Sequence, residues 1–95
     1  MRKQKTVTLD FTNCKYLGVM HQIIKEAFHF PDWYGENWSA FWDMGYDYIR
    51  ENTHIIIKGT KTMPNDFEES IQIMLEILQR IHDESSETIT FELVD

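Results

Sequence analysis

The chain reads as an α/β domain: a small three-stranded parallel sheet packed with three or four helices. Three observations predict this. Short strand-like apolar runs lie near the start, middle and end of the chain, and the stretches between them carry apolar residues at helical spacing. Strands separated by helices need crossover connections, which make neighbouring strands parallel. With 95 residues, 42% of them apolar, the chain can form one modest core, so a single domain over residues 1–95 is expected.

The elements follow in order. In "KTVTLDF", Val7, Leu9 and Phe11 alternate with polar residues, as in a half-buried strand. Tyr16, Val19, Met20, Ile23, Ile24, Ala27 and Phe28 then recur at three- and four-residue spacing and predict an amphipathic helix, with Thr12 or Asn13 as its cap and Gly18 weakening its first turn. Pro31 and Gly35 bracket a loop. Asn37 caps a second helix from about Trp38 to Tyr48. "HIIIK" predicts a strand buried on both faces, as in a covered parallel sheet. The segment Gly59 to Met63 reads as a short helix or a loop. In "MPNDFEES", Asn65 followed by Glu68 marks a helix start. Phe67, Ile71, Met74, Leu75, Leu78 and Ile81 extend it into a long third helix, and "ETITFELV" closes the chain as a strand.

Charge and cysteine content narrow the function. The net charge is −7; Arg2, Lys3 and Lys5 contribute +3, which leaves −10 on the rest. Nucleic acid and anionic lipid repel such a chain, so neutral or basic partners are expected. One cysteine, Cys14, rules out an intrachain disulfide and fits a reducing compartment. The basic start has no apolar run behind it, and no stretch is long enough to span a membrane. A cytoplasmic location is the expectation.

The stretch "PDWYGENWSAFWD" holds all three tryptophans of the chain, three carboxylates and no lysine or arginine. On a helix, Trp38, Phe41, Trp42, Gly45 and Ile49 share one side, and Ser39, Asp43, Tyr46 and Asp47 share another. Phe41 fits a core. Trp33 and Tyr34, in a loop beside glycine, are harder to bury and suit a contact surface. Asp43 and Asp47 are i,i+4 neighbours of like charge, which helix stability does not explain. Glu36, just before the helix, fits the favourable end of the helix dipole.

Other chemistries find little support. Asp43 and Asp47 as an acid–base pair have no accompanying glycosidase signal. His21, His29, His54 and His82 are dispersed, so neither a metal site nor a catalytic one is expected, and His21 reads as a hydrogen-bonded structural residue. Cys14 reads as a small buried side chain. The isolated glycines form no phosphate-binding loop, and no cofactor is implied. Aromatics could stack on bases, but the surrounding charge has the wrong sign.

The segment from Met20 to Gly45, "MHQIIKEAFHFPDWYGENWSAFWDMG", resembles the barstar family of intracellular ribonuclease inhibitors. His21 and Gln22 match the first part of the family motif. Pro31, Tyr34, Gly35, Glu36 and Asn37 match the second, and Ala40, Trp42 and Asp43 the third. The resemblance implies a barstar-like fold and a function: one-to-one inhibition of a small, basic, secreted ribonuclease of the barnase type, protecting the producing cell. It places the contact surface on Trp33, Tyr34, Gly35, Asn37, Trp38, Ser39, Trp42, Asp43 and Tyr46, with Asp43 entering a cationic phosphate pocket. Ser39 stands where the family motif has a contact aspartate, and Asp47 is a further candidate one turn beyond Asp43. The family also uses a glutamate on the last long helix, where Glu76, Arg80, Asp83 and Glu84 lie in range. The departures leave room for a different nuclease or toxin as partner. The alternatives are a carbohydrate-binding domain, with tryptophans stacked on sugars, and a scaffold module that has lost its nuclease.

Overall fold

The computed structural model describes residues 4–49, 52–85 and 88–94. Three strands, β1 (Lys5–Asp10), β2 (Thr53–Lys58) and β3 (Ile89–Leu93), form one parallel sheet in the order β1-β2-β3. Helices α1 (Leu17–Phe28) and α2 (Trp38–Tyr48) connect the first pair, and α3 (Glu68–Glu84) connects the second. The segment from Gly59 to Met63 contains a single 3-10 turn, Thr60–Thr62. The α/β class and the three-stranded parallel sheet are as expected. Arg2 and Lys3, and the glutamate at 87 assigned to the last strand, lie outside the described residues.

Each crossover steps the same way along the sheet, and right-handed crossovers that do so place all their helices on one face. On that face Val7, Leu9, Ile55, Ile57 and Ile89 are buried against Met20, Ile24 and Phe28 of α1, Phe41 of α2, and Met74, Ile77, Leu78 and Ile81 of α3. The opposite face carries Thr6, Thr8, Asp10, His54, Ile56, Lys58, Thr90 and Glu92, all exposed or half-buried. The expectation that the "HIIIK" strand is buried on both faces is therefore corrected: only Ile55 and Ile57 are fully covered, and Ile56 faces outward. A sheet whose strand order never reverses cannot receive helices on its second side by this rule. Polar cross-strand pairs occupy that side instead. His54 Nδ1 is 2.7 Å from Thr90 Oγ1, and Lys58 Nζ is 3.9 Å from Asp10 Oδ2.

Helix starts differ from the sequence reading in two places. Thr12 and Asn13 do not cap α1; the Thr12 amide and hydroxyl both donate to Asp10 Oδ1, and α1 begins after Tyr16. Tyr16 and Val19, expected on the apolar side, are exposed because they sit at the outer edge of the first turn. Asn65 likewise caps nothing: Asn65–Phe67 is a 3-10 turn that feeds α3 from Glu68. Gly59 has φ 83°, and a β-carbon there would lie 2.3 Å from the Thr12 amide nitrogen. Both the left-handed conformation and the close approach of the strand ends require glycine.

Candidate functional site

The loop before α2 is aimed by the end of α1. His29 adopts the left-handed conformation (φ 59°, ψ 42°), and the Phe30 amide donates back to the Lys25 carbonyl at 3.0 Å, a Schellman-type stop. Phe30 then turns inward against Phe28 and Tyr34, and Pro31 prevents further helix. The Tyr34 amide closes a turn onto the Pro31 carbonyl at 3.0 Å. Glu36 also takes a left-handed conformation (φ 51°), which costs a non-glycine residue of the order of 1–2 kcal/mol. Its Oε1 lies 3.9 Å from where a β-carbon on Gly18 would be, beside the first turn of α1, whose dipole favours an anion. Asn37 then caps α2: its Oδ1 accepts from the Ala40 amide at 2.8 Å, as its side-chain type predicts.

Beneath this loop lies a buried polar pair. His21 is fully buried on α1, and its Nδ1 is 2.8 Å from the Tyr34 hydroxyl. Trp38 covers the imidazole from the first turn of α2, with ring centroids 4.4 Å apart. His21 Nε2 has no hydrogen-bond partner among the described residues. Burial holds the His21 pKa below its usual value, opposed by the nearby Glu36 carboxylate. Burial and the same carboxylate push the Tyr34 hydroxyl well above the usual tyrosine range. The structural role expected for His21 holds, and its partner is Tyr34. Tyr34 itself corrects the sequence reading: it is 4% exposed and belongs to the core, because the Phe30 turn draws it inward.

The remaining candidates form a face on the loop and α2. Trp33 is 69% exposed, and Gly35, Asn37, Ser39, Asp43, Tyr46 and Asp47 are exposed. Trp38 and Trp42 are half-buried and join the face to the core. Phe41, Gly45 and Ile49 are buried on the other side of the helix, so the two sides separate as the spacing predicts. No ion pair engages Asp43 or Asp47 among the described residues, whereas Asp32 pairs with Lys25 at 3.5 Å. The anionic side chains thus point to solvent, flanked by the Trp42–Tyr46 ring pair at 5.4 Å.

Sequence reasoning left the residue that α3 brings to this face open. The structure places Arg80 there, its guanidinium 4.5 Å from the Trp42 ring centroid. Glu84 pairs with Arg80, and Asp83 accepts from Gln79. Arginine four residues before a glutamate on a helix reads as a surface ion pair, so its aromatic partner on another helix left no local signal.

Among the described residues, no group of three or more His, Cys, Asp or Glu side chains is placed to hold a metal ion, and no helix is long and apolar enough to cross a membrane. The structure is thus a small two-layer α/β fold that exposes a helix face of aromatic rings and of carboxylates with no ion-pair partner among the described residues. A sequence model of the family described as Barstar (barnase inhibitor) matches residues 4–94, and the chain belongs to that family. No curated protein matches the chain. Membership supports a role, in general terms, as an inhibitor of barnase-type ribonucleases.

Proposed function

We propose that the chain blocks the active site of a small, basic, secreted ribonuclease of the barnase type, one to one, and so protects the cytoplasm of the cell that makes it. The observation that carries this reading is Asp43, an exposed carboxylate on a capped helix, with no cation paired to it among the described residues. A ribonuclease holds its substrate phosphate with arginine, lysine and histidine, and a carboxylate can occupy the same donors. Asp43 takes the place of that phosphate. Trp33, Gly35, Asn37, Trp38, Ser39, Trp42, Tyr46 and Asp47 supply the contact surface around it. Tyr34 acts from beneath, as a positioning residue for the loop. The net charge of −7 speeds encounter with a cationic partner at low salt and disfavours nucleic acid and anionic membranes. The protein itself performs no catalysis and needs no cofactor.

The test is a titration of barnase activity with the wild-type chain and with Asp43→Ala. Wild type should inhibit stoichiometrically. The variant leaves buried cations unpaired in the complex, at a cost of about 3–5 kcal/mol, or roughly a hundredfold or more in the inhibition constant. Undiminished inhibition by Asp43→Ala would remove Asp43 from the role of phosphate mimic.

A further inference from the structure

Arg80 puts a positive charge at the border of an otherwise anionic face. It comes from α3, not from the loop or α2, and close packing of the two helices brings it there. A β-carbon on Gly45 would lie 2.8 Å from Ile81 Cδ1, so the glycine lets α3 approach at the residue next to Arg80. The guanidinium lies over Trp42, 4.5 Å from the ring centroid. Its pairing with Glu84, 3.8 Å away, joins two largely exposed side chains and contributes little to holding it. The aromatic ring therefore orients the group through cation–π attraction, while guanidinium N–H donors stay available to a partner. Trp42 is the residue before Asp43, and it touches Tyr46. Any partner that covers Asp43 and these rings meets Arg80 at its edge.

We infer that Arg80 is a specificity-determining residue, an inference that rests on the inhibitory reading of the Asp43 face. The geometry selects a nuclease whose cationic cleft is bordered, where it meets α3, by a carboxylate able to accept the guanidinium in a paired, planar contact. A nuclease whose positive surface continues unbroken past the cleft sets like charges against each other at this edge and is bound less tightly, even though its cleft accepts Asp43. Discrimination of this kind resides in the difference between partners, while the contacts of Arg80 with Trp42 and Glu84 add only a small share to folding stability.

Barnase serves as the probe, measured by stopped-flow association and by inhibition constant at two salt concentrations. Wild type, Arg80→Glu, Arg80→Lys and Asp43→Ala are compared, with melting temperatures on the same samples. Against this basic nuclease, Arg80→Glu should bind about tenfold more tightly than wild type, chiefly through faster association, and its rate should fall more steeply with salt. Arg80→Lys, which keeps the charge, should stay near wild type in association rate. Melting temperatures of the Arg80 variants should stay close to that of wild type. If Arg80→Glu binds no more tightly than wild type while Asp43→Ala loses inhibition, the role given to Arg80 is wrong and the phosphate-mimic reading stands. If Asp43→Ala also binds like wild type, or if no form binds barnase, both are overturned.

Discussion

The two sides of α2 come from the same eleven residues and obey different rules. On the inner side Phe41, Met44 and Gly45 are buried in contact with the rest of the core, and every choice there serves packing. On the outer side Asp43 and Asp47 set like charges one turn apart, with no cation paired to either among the described residues. That arrangement opposes helix stability by a few tenths of a kcal/mol. The inner side shows what the fold needs. The outer side departs from those needs, and departures of this kind mark surfaces kept for a partner.

The contrast can be broken most forcefully from inside. Phe41 is fully buried, so Phe41→Ala should cost about 3–5 kcal/mol of stability, read as a lower urea midpoint at an unchanged slope. A loss under about 1 kcal/mol would mean that the inner side is not packed as described.

Tyr34→Phe comes next. It keeps the ring in the core but removes the hydroxyl beside His21 Nδ1, leaving a buried polar atom without its partner. A loss of about 1–3 kcal/mol in chemical unfolding is expected. An unchanged midpoint would show that the pair adds nothing to the loop's anchorage.

The same pair sharpens the comparison through pH. Burial lowers the His21 pKa below 6.5, so between that lowered value and 6.5 the unfolded chain binds the proton and the folded chain does not. The histidine's contribution to stability is therefore fully present above pH 6.5 and is lost as pH falls through that window toward the folded pKa. Thermal melts of wild type and His21→Gln, subtracted across the acid range, isolate this component. Parallel curves would mean that His21 titrates alike in both states.

The smallest effect belongs to the outer side. Asp47→Asn relieves the repulsion with Asp43 and should raise stability by a few tenths of a kcal/mol. A clear destabilisation would reveal a structural partner for Asp47 and weaken its assignment to a contact face.

By itself the sequence determined whatever depends on residues a few positions apart. The order of strands and helices, the span of α2, its Asn37 cap and the division of α2 into two sides all follow from local periodicity and local hydrogen bonding. The exposed members of the candidate face, including Trp33 and Asp43, were legible for the same reason. Tertiary structure alone decided the rest. Strand order put every helix on one face and left Ile56 outward, which no apolar run can signal. The docking of the loop on α1 buried Tyr34 against His21, a partner 13 residues away. The close approach of α3 carried Arg80 onto Trp42, although its spacing to Glu84 suggests only an ordinary surface pair. In each case the deciding contact joins elements that no local spacing relates, so only the packed chain specifies it.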